Sequence, residues 1–142
     1  MATRPAYGGG NDPDCRKPML WASQPYAPET HNPDQSQHAP DVVGFDPGLF
    51  AWYQKFIGLR QRSAAIRLGS YTTVAIDDAR KLYAFRRTLG KEDVLVVLNR
   101  GSQPAMFAHP VLATRKYRDA FTQVAAAKVT VPARDIVVLR TQ

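Results

Sequence analysis

Met1–Val43 carries no hydrophobic period. It holds seven of the chain's eleven prolines, two of its three Asn and two of its three His, so neither a helix nor a paired strand is expected to run far in it. The texture then changes. Leu49, Trp52, Tyr53, Phe56, Ile57 and Arg60 recur at i, i+3, i+4 and i+7, and Phe50 and Leu59 widen the apolar stripe. Asp46 suits an N-cap, and Pro47 suits the first helical position, where a missing N–H costs nothing. The spacing predicts one amphipathic helix over Asp46–Arg62, weakened at Gly58 by about 1 kcal/mol relative to Ala.

After the helix the pattern becomes strand-like. Ile66–Ile76 ends at the turn signal Asp77-Asp78, and Lys81–Leu89 ends at Gly90-Lys91. Val94-Leu95-Val96-Val97-Leu98 is a continuous apolar run, as expected of a central strand covered on both faces. Ala105–Leu112, Lys116–Phe121, Lys128–Val131 and Ile136–Arg140 are further short candidates. Short strands at regular spacing with turns between them predict a mainly β fold. The expected fold is an antiparallel β-sandwich of about seven strands, Greek-key-like, behind a long loop and one helix. The expected divisions are a loop-rich segment 1–43, a helix 44–63 and a sandwich 64–142.

Composition narrows the function classes. At 142 residues, with 44% hydrophobic and 22% charged, the chain suits one globular domain and is too short for a (β/α)₈ barrel of ~250 residues. The single Cys15 excludes an internal disulfide framework, and no apolar run approaches the ~18 residues of a membrane span. The start, Met1–Tyr7, has no apolar stretch of the secretory kind, so a cytoplasmic location is expected. The net charge of +7 invites a nucleic-acid reading, but Lys and Arg are scattered and interleaved with acids. A basic, polyanion-binding interaction protein is therefore kept only as an alternative. His31, His38 and His109 have no metal-site spacing, Cys15 has no adjacent His, and Gly8-Gly9-Gly10-Asn11 lacks the Lys-Ser/Thr of a phosphate loop. No metal and no cofactor is expected.

One segment carries suggestive chemistry: Gly9-Gly10-Asn11-Asp12-Pro13-Asp14-Cys15-Arg16-Lys17-Pro18-Met19-Leu20-Trp21. A carboxylate, a guanidinium four residues on and an indole are the parts with which proteins hold sugar hydroxyls and stack on pyranose rings. Taken alone, they equally describe a local Asp12–Arg16 ion pair beside a packed Trp21.

The segment resembles the loop after the eighth barrel strand in glycoside hydrolase family 13, the α-amylase family, and especially its neopullulanase, cyclomaltodextrinase and maltogenic-amylase branch. Phe45-Asp46 to Leu49, Trp52-Tyr53-Gln54-Lys55 and Ile57-Gly58-Leu59-Arg60 resemble the last barrel helix of those enzymes. Leu68-Gly69-Ser70-Tyr71, Tyr83-Ala84-Phe85-Arg86-Arg87, Val94–Asn99 and Val131-Pro132-Ala133-Arg134 resemble their C-terminal β-sandwich. The likeness covers about residues 8–140 and stops before it, where Arg4-Pro5-Ala6-Tyr7-Gly8 departs from the family's Gly-Asp/Glu-Glu-x-Gly-Met string.

The resemblance implies a family reaction run by three carboxylates on the fourth, fifth and seventh barrel strands, all preceding this sequence, so no catalytic residue is expected in it. It implies instead a non-catalytic accessory domain that binds starch-type maltooligosaccharides weakly. Asp12 and Arg16 fall at family contacts to the glucose ring, and Trp21, Tyr26 and Tyr71 are the stacking candidates. The competing expectation is a small α-glucan hydrolase acting through Asp12, Asp14 or Glu29, although glycoside hydrolysis needs two carboxyls held ~5–9.5 Å apart. A helix face of Trp52, Tyr53, Phe56 and Ile57 that would pack on barrel strands also suggests a homodimer through that face.

Overall fold

A computed structural model describes residues 19–32 and 36–141. These divide into two compact units, one ending at Gln54 and the other running from Lys55.

In the first unit, β1 (Glu29–His31) and β2 (Gln37–Asp41) form a two-stranded antiparallel ribbon with an irregular register. A loop alone was expected there. The ribbon is short, and Asn32 N–H donates to the Ser36 carbonyl at 2.9 Å. Pro40 fits within β2 because a two-stranded ribbon leaves outward-facing positions that need no donor.

Helix α1 (Pro47–Arg62) follows as the spacing predicts, with Asp46 Oδ1 accepting from Leu49 N–H at 2.9 Å as its N-cap. At its other end, the Arg67 guanidinium donates to the carbonyls of Arg60, at 2.9 Å, and Gln61, which satisfies the last turn.

Immediately afterwards comes α2 (Ala64–Leu68), which corrects the strand expected from Ile66. Its cause lies far away in sequence. Ser63 Oγ accepts from Ile66 N–H at 3.1 Å, while the Glu92 carboxylate takes Ser63 Oγ–H at 2.6 Å and Ala65 N–H at 2.9 Å. A carboxylate at the N-terminal turn favours helix over strand. Gly69 then ends the helix by donating to the Ala65 carbonyl at 2.9 Å, and a Cβ there would lie 2.5 Å from that oxygen and 2.8 Å from the Thr88 carbonyl.

The main sheet is antiparallel, with β3 (Ser70–Asp77), β4 (Leu82–Leu89), β5 (Glu92–Asn99), β9 (Asp135–Thr141) and β7 (Tyr117–Asp119) in spatial order β3-β4-β5-β9-β7. Strand β6 (Ala105–Phe107) pairs with β8 (Val129–Val131) in a second, two-stranded sheet. The candidate run Ala105–Leu112 therefore stops early as a strand. Pro110 opens a single turn, α3 (Val111–Thr114), in which Ala113 N–H reaches the Pro110 carbonyl at 3.0 Å. A β-sandwich results, with seven strands beyond the β1–β2 ribbon.

Strand β5 is the central strand its apolar run predicts. Leu95 and Val97 point into a core with Leu82, Ala84, Phe107, Val129, Val131 and Leu139, between the two sheets. Val94 and Val96 point to the opposite face, where they meet Leu59 of α1, Ala65 of α2, Ala120 and Val138. Phe56 of the helix sets its ring edge-on to Phe121, with centroids 5.3 Å apart, and Lys55 Nζ sits 3.9 Å from the centroid of the Phe121 ring. Of the helix face named above, Phe56 is half-buried, while Trp52, Tyr53 and Ile57 are exposed.

Candidate functional site

Asp12, Arg16 and Asp14 lie outside the described residues. Trp21 and Tyr26 share one turn: the Trp21 N–H donates to the Tyr26 hydroxyl at 2.6 Å, and the Gln24 N–H donates to the Trp21 carbonyl at 3.1 Å. The indole is exposed, as stacking requires. Glu29 faces Asp41 across the β1–β2 ribbon. The Asp41 side chain is 79% exposed, with His38 Nδ1 3.6 Å away, so nothing excludes water from that pair of acids. General acid–base work on a glycosidic bond draws on carboxyls in distinct, partly desolvated surroundings.

Tyr71 belongs to a more developed arrangement on the sandwich. The β3–β4 register pairs Tyr71 with Arg87 and Thr73 with Phe85, then slips at a bulge so that Ile76 faces Tyr83. Strand alternation therefore places Tyr71, Thr73, Ile76, Tyr83 and Phe85 on one face. Tyr71 stacks on Phe85 with centroids 5.1 Å apart and planes 26° apart, and Tyr83 lies 6.0 Å from Phe85. The Tyr71 and Tyr83 hydroxyls are hydrogen-bonded, and Thr73 Oγ1 is 3.4 Å from the Tyr83 oxygen. The bond to Tyr83 raises the Tyr71 phenol above its ordinary value, and the bonds with Thr73 and Tyr71 lower Tyr83. Tyr71 remains 52% exposed. The result is a stacked aromatic surface with fixed hydroxyls.

Tyr83 also lines an open cavity of about 400 Å³ at the end of the β3–β4 hairpin, with Ile76, Asp77, Asp78, Lys81, Leu82 and Arg100. Asp77 is engaged in the turn. It accepts from Arg80 N–H at 2.8 Å and Arg80 Nε at 2.7 Å, which holds its carboxyl below the usual range. Tyr83 and Phe85 were quoted above for resemblance only, not as site residues. The alternation of β4 puts them on one face, but a bulge in β3 decides that Tyr71 joins them, and no local pattern reports a bulge.

The sandwich has a second polar centre, which is structural. Asp93 is fully buried. It accepts from the Tyr117 hydroxyl at 2.8 Å and Thr88 Oγ1 at 3.3 Å, with Arg86 Nε at 3.6 Å and Arg115 Nε at 3.5 Å. Burial, with the hydrogen bond to Asp93, pushes the Tyr117 phenol up to about 12. Asn99, also buried, holds its amide nitrogen within 3.1 Å of the Gln103, Val131 and Pro132 carbonyls and accepts from Gly101 N–H at 2.8 Å, which ties β5 to β8. Among the described residues, no three His, Cys, Asp or Glu side chains come together as metal ligands, and no helix is long and apolar enough to cross a membrane.

A five-stranded sheet backed by a two-stranded one, with a helix docked on its outer face, makes a small β-sandwich domain. Residues 71–135 match the family described as maltogenic amylase, C-terminal domain. It is 30% identical over 109 residues to a cyclomaltodextrinase of Geobacillus thermopakistaniensis, covering 77% of this chain and 15% of that protein. It is 35% identical over 91 residues to neopullulanase 2 of Thermoactinomyces vulgaris, covering 64% of this chain and 12% of the relative. Among solved structures, a debranching enzyme of Nostoc punctiforme, from acarbose-soaked crystals, superposes with a TM-score of 0.57 at 26% identity, over 68% of this chain and 21% of that one. The chain thus spans 12–21% of the length of each of these proteins, in their C-terminal part.

Proposed function

We propose that this chain is the non-catalytic, accessory C-terminal part of an α-glucan-active glycoside hydrolase and that it binds maltooligosaccharides weakly. The observation that carries the binding reading is the Tyr71–Phe85–Tyr83 surface, in which a half-exposed ring is held by stacking and by a hydroxyl–hydroxyl bond. A ring fixed before the ligand arrives loses little freedom on binding, and its apolar face suits the C–H face of a pyranose. One or two such rings without deep enclosure give affinities near the millimolar level, about −4 kcal/mol. The names of the relatives support the choice of sugar, since both are glucan-directed enzymes by name. The accessory role is supported by the way the sandwich holds α1: Phe56 and Leu59 enter its outer core, and Glu92 fixes the turn that follows the helix.

Calorimetric titration with maltoheptaose tests the binding reading. A saturating heat at millimolar ligand, weakened about fivefold or more in Tyr71→Ala, is the expected result. Absence of heat at ten millimolar ligand, or a titration unchanged by Tyr71→Ala, overturns it.

A further inference from the structure

The cavity at the end of the β3–β4 hairpin and the aromatic surface share a residue, Tyr83. Tyr71, Phe85, Tyr83 and Ile76 follow one another along the outer face of β3 and β4, and the cavity opens where that row ends. Tyr83 belongs to both: its hydroxyl holds Tyr71, and the residue forms part of the cavity wall. At about 400 Å³ the cavity lies toward the small end of the roughly 300–1,000 Å³ range of ligand sites.

Its chemistry is mixed. Asp77 is neutralised by Arg80 at 2.7 Å, which leaves Asp78 beside Lys81 and Arg100 in the lining. A neutral polyol, which both donates and accepts, can use the carboxylate and the two cationic groups together. Asp77 is committed to Arg80. The side chains of Asp78, Lys81 and Arg100 make no hydrogen bond or ion pair with another described residue, and so offer one acceptor and two donor groups to a ligand. Ile76, Leu82 and Tyr83 supply the apolar side of the same cavity.

We infer that this cavity is a second sugar subsite, continuous with the Tyr71 surface. One glucosyl unit of a linear glucan seats beside Tyr83 and hydrogen-bonds Asp78, Lys81 and Arg100 while the next unit lies on Tyr71. This rests on the glucan-binding reading above and extends it, because it assigns the polar contacts that the aromatic surface lacks and fixes the line the ligand takes along the sheet.

Titrating ¹⁵N-labelled chain with maltoheptaose separates the two statements. The expected result is that amide signals of Asp78, Lys81 and Arg100 move together with those of Tyr71 and Phe85 along one saturation curve. Arg100→Ala and Asp78→Ala, with spectra otherwise like the parent, each weaken binding about three- to tenfold. Shifts confined to Tyr71 and Phe85, or variants that bind as the parent does, overturn the subsite and leave the glucan-binding reading standing. Shifts nowhere overturn both. Sodium phosphate moving the same cavity amides at equal concentration also overturns the subsite, since it marks an anion site.

Discussion

On the inner face of the five-stranded sheet, Leu95, Val97, Leu139 and Leu82 are sealed by strands and a turn from the same sandwich, and a buried carboxylate, Asp93, is threaded through the end of that layer. On the outer face, Val94, Val96 and Val138 are covered by Leu59, Ala65 and the half-buried Phe56 from before β3, with Ala120 and Phe121 joining from after β7. One sheet is thus closed by itself on one side and by a borrowed helix on the other. The borrowed side is where exposed rings survive, because a helix covers a strip of sheet rather than its whole width. α1 therefore belongs energetically to the sandwich, while the Tyr71–Phe85–Tyr83 surface lies on the remainder of that same face.

The largest expected loss comes from the inner face. Asp93→Ala leaves two guanidinium groups and a buried phenol without their shared acceptor, and urea unfolding is expected to show a loss on the order of 3–5 kcal/mol. A loss below 1 kcal/mol would show that the centre is solvated rather than sealed. On the outer face, Leu59→Ala opens a cavity between helix and sheet and should lower stability by about 2–4 kcal/mol. If the outer face were dispensable, that variant would unfold at the parent's midpoint.

Alkali sharpens the contrast. The Tyr117 phenol is raised in the fold to about 12, so its contribution is complete below the unfolded value near 10 and is lost as pH climbs from there through about 12. Stability should fall over that window by up to about 2–3 kcal/mol, and Tyr117→Phe should lack this component of the slope. Acid probes the outer side more gently. Burial pushes Glu92 upward, but the bonds from Ser63 Oγ and Ala65 N–H, with Arg140 nearby, outweigh it and hold the carboxyl below its ordinary range. Its contribution is present above the unfolded value and is lost as pH falls through the lower, folded one. Glu92→Gln should cost about 1 kcal/mol at neutral pH and flatten the acid limb of the stability curve.

Much of this was legible from residue order. The α1 stripe, the Asp46 cap and the β5 run each announce themselves within a few residues, because period and capping are local physics. What was hidden depends on partners remote in sequence. Ala64–Leu68 reads as the start of a strand until Glu92, 27 residues beyond Ala65, caps it as a helix. Ala105–Leu112 reads as one strand until Pro110 turns it. The candidate site divides in the same way. Tyr71 was visible as an aromatic in a family-like string, but its union with Phe85 and Tyr83 needs the bulge between Thr73 and Ala75, and the cavity needs Arg100 brought back beside Lys81, whose carbonyl accepts the Arg100 N–H at 3.0 Å.

On this reading the polypeptide handles glucan without cutting it. Incubating the purified chain with maltoheptaose and following new reducing ends over a day tests that directly. No release above a protein-free control is expected. Release that tracks the chain through purification and disappears in Asp12→Ala or Asp14→Ala would contradict it.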